Sequence, residues 1–188
     1  VYLRPFEIAI ERSQPWTVMA SYNRINGIYA CSHDALVNNV LKKEWGFDGL
    51  VISDWFAAKE TIENALGGLD LEMPGPAVAW GAELLKAAQE GDVPESVIDD
   101  KVRRLLRVLE RSGRFEDPVE KPELGVDKLE HQKIAYQAAV EGMVLLKNEQ
   151  VLPLKKDDLN KIAVIGPNTK SFRIMGGGSS SLRPHYVK

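Results

Sequence analysis

Three short apolar runs, "TVMASY" (17–22), "GLVISD" (49–54) and "LDLEMP" (69–74), recur along the first half of the chain with helix-spaced stretches between them. Leu36, Val40 and Leu41 keep helical spacing before Trp45, and Ile62 and Leu66 do so after Phe56. Strands joined by crossovers of this length pair in parallel, because a tight hairpin can only join antiparallel neighbours. The expected class is therefore α/β. Further on, the pattern predicts a helix over 77–90, stopped at Gly91, and another over 94–111. The second would carry Val97, Ile98, Val102, Leu105, Leu106 and Leu109 on one face, with Pro94 near its start and Gly113 past its end.

The composition then changes. Residues 115–128, "FEDPVEKPELGVDK", hold two prolines and many charges with little apolar periodicity, as a linker does. A helix is expected from Asp127 to about Gly142, then a buried strand in "KIAVIGPN" (161–168) and a flexible loop in "MGGGSSSL" (175–182). This order reads as the opening of a second α/β domain. The chain opens at Val1 without Met and stops at Lys188 just past that loop, which leads us to expect a piece of a longer protein.

Bulk properties exclude several classes of partner. The 188 residues are 44% hydrophobic and 27% charged with a formal net charge of −3, enough for one domain and part of another. Basic residues are spread along helices, so nothing attracts nucleic acid or a membrane surface. No run approaches the roughly 20 apolar residues of a membrane span. Cys31 stands alone, so no internal disulfide and no cysteine metal cluster can form. His33, His131 and His185 show no ligand spacing and are expected to be surface or structural residues. The "GGGSSS" loop lacks the lysine of a phosphate-binding loop, and "IGPN" lacks the glycines of a dinucleotide turn. No cofactor and no metal are expected.

In parallel α/β folds, catalytic side chains sit where strands end. Asp54 has that position, with Trp55 beside it to wall a pocket, although an aspartate there could equally cap a helix starting near Phe56. Tyr22 ends the preceding strand in the same way and could reach Asp54 from a neighbouring strand, or be a core tyrosine with a hydrogen-bonded tip. Asp70 and Glu72, two apart, share one face of a strand; satisfying backbone donors and cationic neighbours is their expected work. "LDLEMPG" also resembles the phosphoacceptor strand of receiver domains, with Lys121-Pro122 downstream as the matching Lys-Pro pair. Against this, the magnesium-holding acidic pair is missing from "YNRINGIYA", and "PVEKPE" is too polar to follow a buried strand.

Taken in order, "TVMASYNRING", "EWGFDGLVISDW", "GLDLEMPG", "VRRLLRVLERSGRFE", "AAVEGMVLLKNE" and "KIAVIGPN" resemble glycoside hydrolase family 3, and within it the β-glucosidases. The resemblance implies that residues 1–116 are the C-terminal portion of a (β/α)8-type barrel, 117–142 a linker and connecting helix, and 143–188 the start of a second α/β domain of sandwich type. It implies that Asp54 is the nucleophile of a retaining enzyme, that Tyr22 supports it, and that Trp55 and Met19 contact the sugar. The substrate implied is a β-glucoside or oligosaccharide, with glucoside against xyloside and self-association both left open. The acid/base glutamate and the residues binding the non-reducing sugar would lie outside the chain, making it inactive alone. Fungal relatives of this type are often secreted, while no Asn-x-Ser/Thr sequon occurs here.

Overall fold

The structure is a computed structural model that describes every residue except 123, 172, 179, 180, 183 and 186–188. It divides into two compact units, Val1–Glu120 and Lys121–Lys188.

In the first unit, helix α1 (Arg4–Ser13) leads into strand β1 (Thr17–Ala20), and a π-type helix (Ala35–Glu44) crosses over to strand β4 (Leu50–Ser53). β1 and β4 pair in parallel, with Thr17 opposite Leu50 and Ala20 opposite Ser53, so the two strands end on the same side. Between them a hairpin, β2 (Arg24–Ile25) and β3 (Ile28–Tyr29), turns through Asn26 and Gly27, both at positive φ. Asn-Gly is the pair best suited to the left-handed conformation that such a two-residue turn needs.

The third run, 69–74, reaches β4 through a single parallel bridge between Leu71 and Ile52. Ser53 N–H donates to Leu71 C=O at 2.9 Å, and Leu71 N–H to Val51 C=O at 3.1 Å. The next rung would join Val51 N–H to Leu69 C=O, but side chains replace it. Val51 N–H donates to Asp70 Oδ2 at 2.8 Å, and Leu69 C=O accepts from Lys101 Nζ at 2.6 Å. Side-chain charge thus stands in for the ladder of a full strand. The chain enters this segment through Gly67 and Gly68. Gly68 has φ of 101°, and a Cβ there would come within 2.5 Å of Asn38 Oδ1, so no other residue fits.

Helices α2 (Ile62–Leu66), α3 (Ala82–Glu90) and α4 (Glu95–Arg111) complete the unit. The core joins Val51, Leu69, Cys31, Leu41, Phe47, Trp80 and Val93, with Val97 and Ile98 of α4 packed against it. The α4 stripe is covered only in part, since Val102 and Leu106 remain exposed while Lys101, between Ile98 and Leu105, is buried. Further along, Arg104 Nη1 donates to the carbonyls of Phe47 (3.1 Å) and Gly49 (2.8 Å), bracing the entry into β4.

Two sequence expectations need correction here. The helix expected over 77–90 begins only at Ala82, because Glu72 collects the N–H groups of Val78, Ala79 and Trp80 into a loop and Gly81 has φ of 63°. No helix starts near Phe56 either. Phe56 has φ of 63°, outside the right-handed helical region, and the first helix after Asp54 is α2.

In the second unit, helix α5 (Leu129–Gly142) begins two residues later than expected. Residues 161–165 form no strand, and Ile162, Val164 and Ile165 are all exposed, which corrects the expected buried strand: among the described residues no partner strand lies alongside them. Of the expected loop over 175–182, Ser179 and Ser180 lie outside the described residues. None of this unit's described residues is buried.

Candidate active site

The parallel pairing of β1 with β4 decides where the site lies. Asp54 follows the last residue of β4, and its backbone N–H donates to Ala20 C=O of β1 at 2.9 Å. Tyr22, two residues past the end of β1, comes from the same edge and donates its hydroxyl to Asp54 Oδ1 at 2.9 Å. Trp55 N–H donates to the same oxygen at 2.6 Å. Oδ2 accepts no hydrogen bond among the described residues, so the carboxylate has one tethered oxygen and one open one.

The hydrogen bond to Asp54, then burial, then the charge of Asp54 hold the Tyr22 phenol above its ordinary range. The hydroxyl keeps its proton and stays a donor. Asp54 is half-buried, and Trp55 beside it is 47% exposed. Beneath lies Cys31, fully buried, whose thiol is pushed up to about 11 by burial and then by the charge of Asp54.

Asp54 does not cap a helix. Its carbonyl closes a tight turn instead, accepting from Ala57 N–H at 3.0 Å. That turn is fastened on its far side to Met73. Ser53 Oγ accepts from Met73 N–H at 2.8 Å and donates to Met73 C=O at 3.3 Å, and Phe56 N–H donates to that same carbonyl at 2.9 Å. Sequence reasoning missed Ser53 and Met73, because the partner of a backbone group leaves no pattern in the residues flanking it.

The other acids go to structural work. Asp70 is buried, its side chain wholly enclosed, with Oδ1 at 2.6 Å from Lys42 Nζ and Oδ2 on Val51 N–H. Burial holds Lys42 below the ordinary lysine range against the opposing pull of Asp70. A phosphoacceptor must meet its donor in solution, which this carboxylate cannot do. Glu72 is likewise spent on three backbone N–H groups. Among the histidines, His33 is buried, whereas His131 and His185 are exposed.

Met19 lies on β1 opposite Ile52, is exposed, and is among the residues lining an apolar cavity of about 150 Å³ with Phe6, Leu36 and Val40. No hydrogen bond brings it to Asp54. A larger cavity of about 700 Å³, lined by Trp16, Trp45, Asp48 and Arg111, sits where β1 and β4 begin, the opposite end from Asp54. Among the described residues no cluster of His, Cys, Asp and Glu is suited to a metal ion, and no helix is long and apolar enough to cross a membrane.

Comparison with known proteins assigns the chain to a family. The N-terminal domain of glycosyl hydrolase family 3 matches residues 1–108, and the family's C-terminal domain matches residues 143–188. A beta-glucosidase of Rhizobium radiobacter is 46% identical over 187 residues, all of this chain and 23% of the relative. Beta-glucosidase B of Emericella nidulans is 44% identical over 191 residues, covering 99% of this chain and 22% of its own length. Among solved structures, beta-glucosidase 3B from Thermotoga neapolitana in complex with alpha-D-glucose superposes with a TM-score of 0.78 at 39% identity, over 98% of this chain and 26% of that one. The beta-glucosidase of Kluyveromyces marxianus in complex with glucose gives 0.80 at 32% identity, over 98% of this chain and 23% of that one. The chain therefore spans about a quarter of the length of the relatives it matches. It belongs to glycosyl hydrolase family 3.

Proposed function

We propose that this chain supplies the nucleophile of a retaining exo-β-glucosidase, with Asp54 forming a covalent glycosyl-enzyme on a terminal non-reducing β-D-glucosyl residue. The observation that carries the reading is the Tyr22 hydroxyl on Asp54 Oδ1 at 2.9 Å, delivered from the adjoining parallel strand. A nucleophilic carboxylate needs one oxygen free to attack and the other fixed, and Oδ2 and Oδ1 divide in that way. In such a mechanism Oδ2 bonds to the anomeric carbon as the glycosidic bond breaks. A second carboxyl group, about 5–5.5 Å from the first, gives a proton to the leaving oxygen and later takes one from water. That second group belongs to the full-length protein outside these residues.

Trp55, exposed beside Asp54, would offer its ring to an apolar sugar face, and Met19 would contact the sugar from β1. Residues 1–116 are read as the C-terminal portion of a (β/α)8-type barrel, 117–142 as the connection and 143–188 as the start of a second α/β sandwich domain; the spans of the two matching family domains support this division. Glucose in the Thermotoga and Kluyveromyces complexes supports a glucoside as substrate.

The test is Asp54→Asn in the full-length protein, assayed on aryl β-glucosides and β-xylosides. Loss of the attacking charge is expected to lower turnover on the order of 10⁴-fold with little change in substrate binding. Retention of more than about a tenth of wild-type turnover, roughly 1.4 kcal/mol in barrier, would sink the assignment.

A further inference from the structure

Ser53 is fully buried, yet its hydroxyl serves none of the usual needs of a strand residue. It spends both its donor and its acceptor capacity on one residue, accepting from Met73 N–H at 2.8 Å and donating to Met73 C=O at 3.3 Å. The carbonyl of Met73 takes a further bond from Phe56 N–H at 2.9 Å. The residues on the two sides of the Asp54–Trp55 pair are thereby fastened to the same backbone position. Phe56 holds φ of 63°, a conformation that a bulky aromatic residue keeps only where its surroundings enforce it. On the opposite side, Ala20 C=O at the end of β1 and the Tyr22 hydroxyl two residues beyond it grip Asp54. The turn that carries the carboxylate is thus held at three points.

We infer that Ser53 is a positioning residue for the glycosylation step: its two-way bond to Met73 sets where Asp54 Oδ2 points. This rests on the reading of Asp54 as nucleophile. Without the hydroxyl, Met73 N–H loses its partner and Phe56 N–H alone holds the turn to Met73, while the Ser53 N–H bond to Leu71 C=O keeps the end of β4 in place ahead of Asp54. Displacement of a reacting oxygen by about 1 Å costs on the order of 10²-fold in rate while leaving the bound sugar's other contacts untouched. Thr61, at the far end of the same loop, donates to Ala79 C=O at 2.7 Å, so the loop stays moored when Ser53 is altered.

The test uses the full-length protein and a 2-deoxy-2-fluoro-β-glucosyl fluoride, which traps the covalent intermediate. Ser53→Ala is expected to slow labelling at saturating reagent by about 30-fold or more, while the dissociation constant for glucose stays within about threefold. Ser53→Cys keeps the shape with a somewhat larger atom and offers only a weak hydrogen-bonding group, and is expected to label about tenfold slower, which serves if the alanine variant does not fold. Ser32→Ala removes another buried hydroxyl, bonded to Glu60 and Asn64, and should lower stability without slowing labelling. Folded Ser53 variants that label within about threefold of wild type, or a Ser32→Ala variant slowed as much as Ser53→Ala, overturn the inference. Failure of the wild type to label on Asp54 is a different result, and removes the proposed function instead.

Discussion

At the scale of single residues, the strand-end carboxylate was the most legible feature. An apolar run that stops on an acid marks a rigid strand feeding a polar end, and the structure brings Tyr22 to that acid as the order of strands implies. What could not be read was the rival's fate. Asp54 as a helix cap fails because Phe56 adopts positive φ, and no residue pattern announces a phenylalanine there. The Tyr22 bond supports a prediction of its own. Tyr22→Phe removes one donor to a half-exposed carboxylate, so turnover should fall roughly tenfold while the Michaelis constant moves little. Wild-type kinetics from the phenylalanine variant would show that the hydroxyl merely rests on Asp54.

Among the secondary-structure elements, the crossover order and the long helix α4 were legible from spacing. The third strand was legible only as a run, because Asp70, Lys42 and Lys101 perform with charge what a ladder performs with backbone. The hairpin β2–β3 leaves no apolar run to read, although Asn26-Gly27 signals its turn, since its strands are only two residues each. Lys101 gives this scale its prediction. It is buried, donates to the carbonyls of Ala65 (2.7 Å) and Leu69 (2.6 Å), and burial pushes its ammonium down to about 8. The folded value lies below that of the unfolded lysine, so between the two the unfolded state binds more protons and stability rises with pH. The cost of burying the charge is fully present below about pH 8 and is relieved by about pH 10.5, a gain of about 3 kcal/mol at most. Denaturant unfolding at both ends of that window should show wild type gaining on Lys101→Met as pH rises. A difference between the two proteins that is flat with pH would contradict the assignment.

For the whole molecule, the two units differ in kind. Val1–Glu120 has a core built on Val51, Leu69 and Cys31, whereas no described residue of Lys121–Lys188 is buried. An apolar strand pattern such as 161–165 identifies what a segment is suited to, but a strand forms only where partners exist, which is why that expectation failed here. An excised 121–188 segment should therefore lack a cooperative melt and give a collapsed amide spectrum, and dispersed peaks from a monomer would contradict this. Attack on the sugar by the carboxylate at the end of β4 is read out by covalent trapping. The full-length protein is treated with 2-deoxy-2-fluoro-β-glucosyl fluoride, digested, and its peptides sequenced by mass spectrometry. A fluoroglucosyl adduct is expected on Asp54 and none on Asp70 or Glu72; an adduct on any other carboxylate, in an enzyme that the reagent inactivates, would show that Asp54 is not the nucleophile.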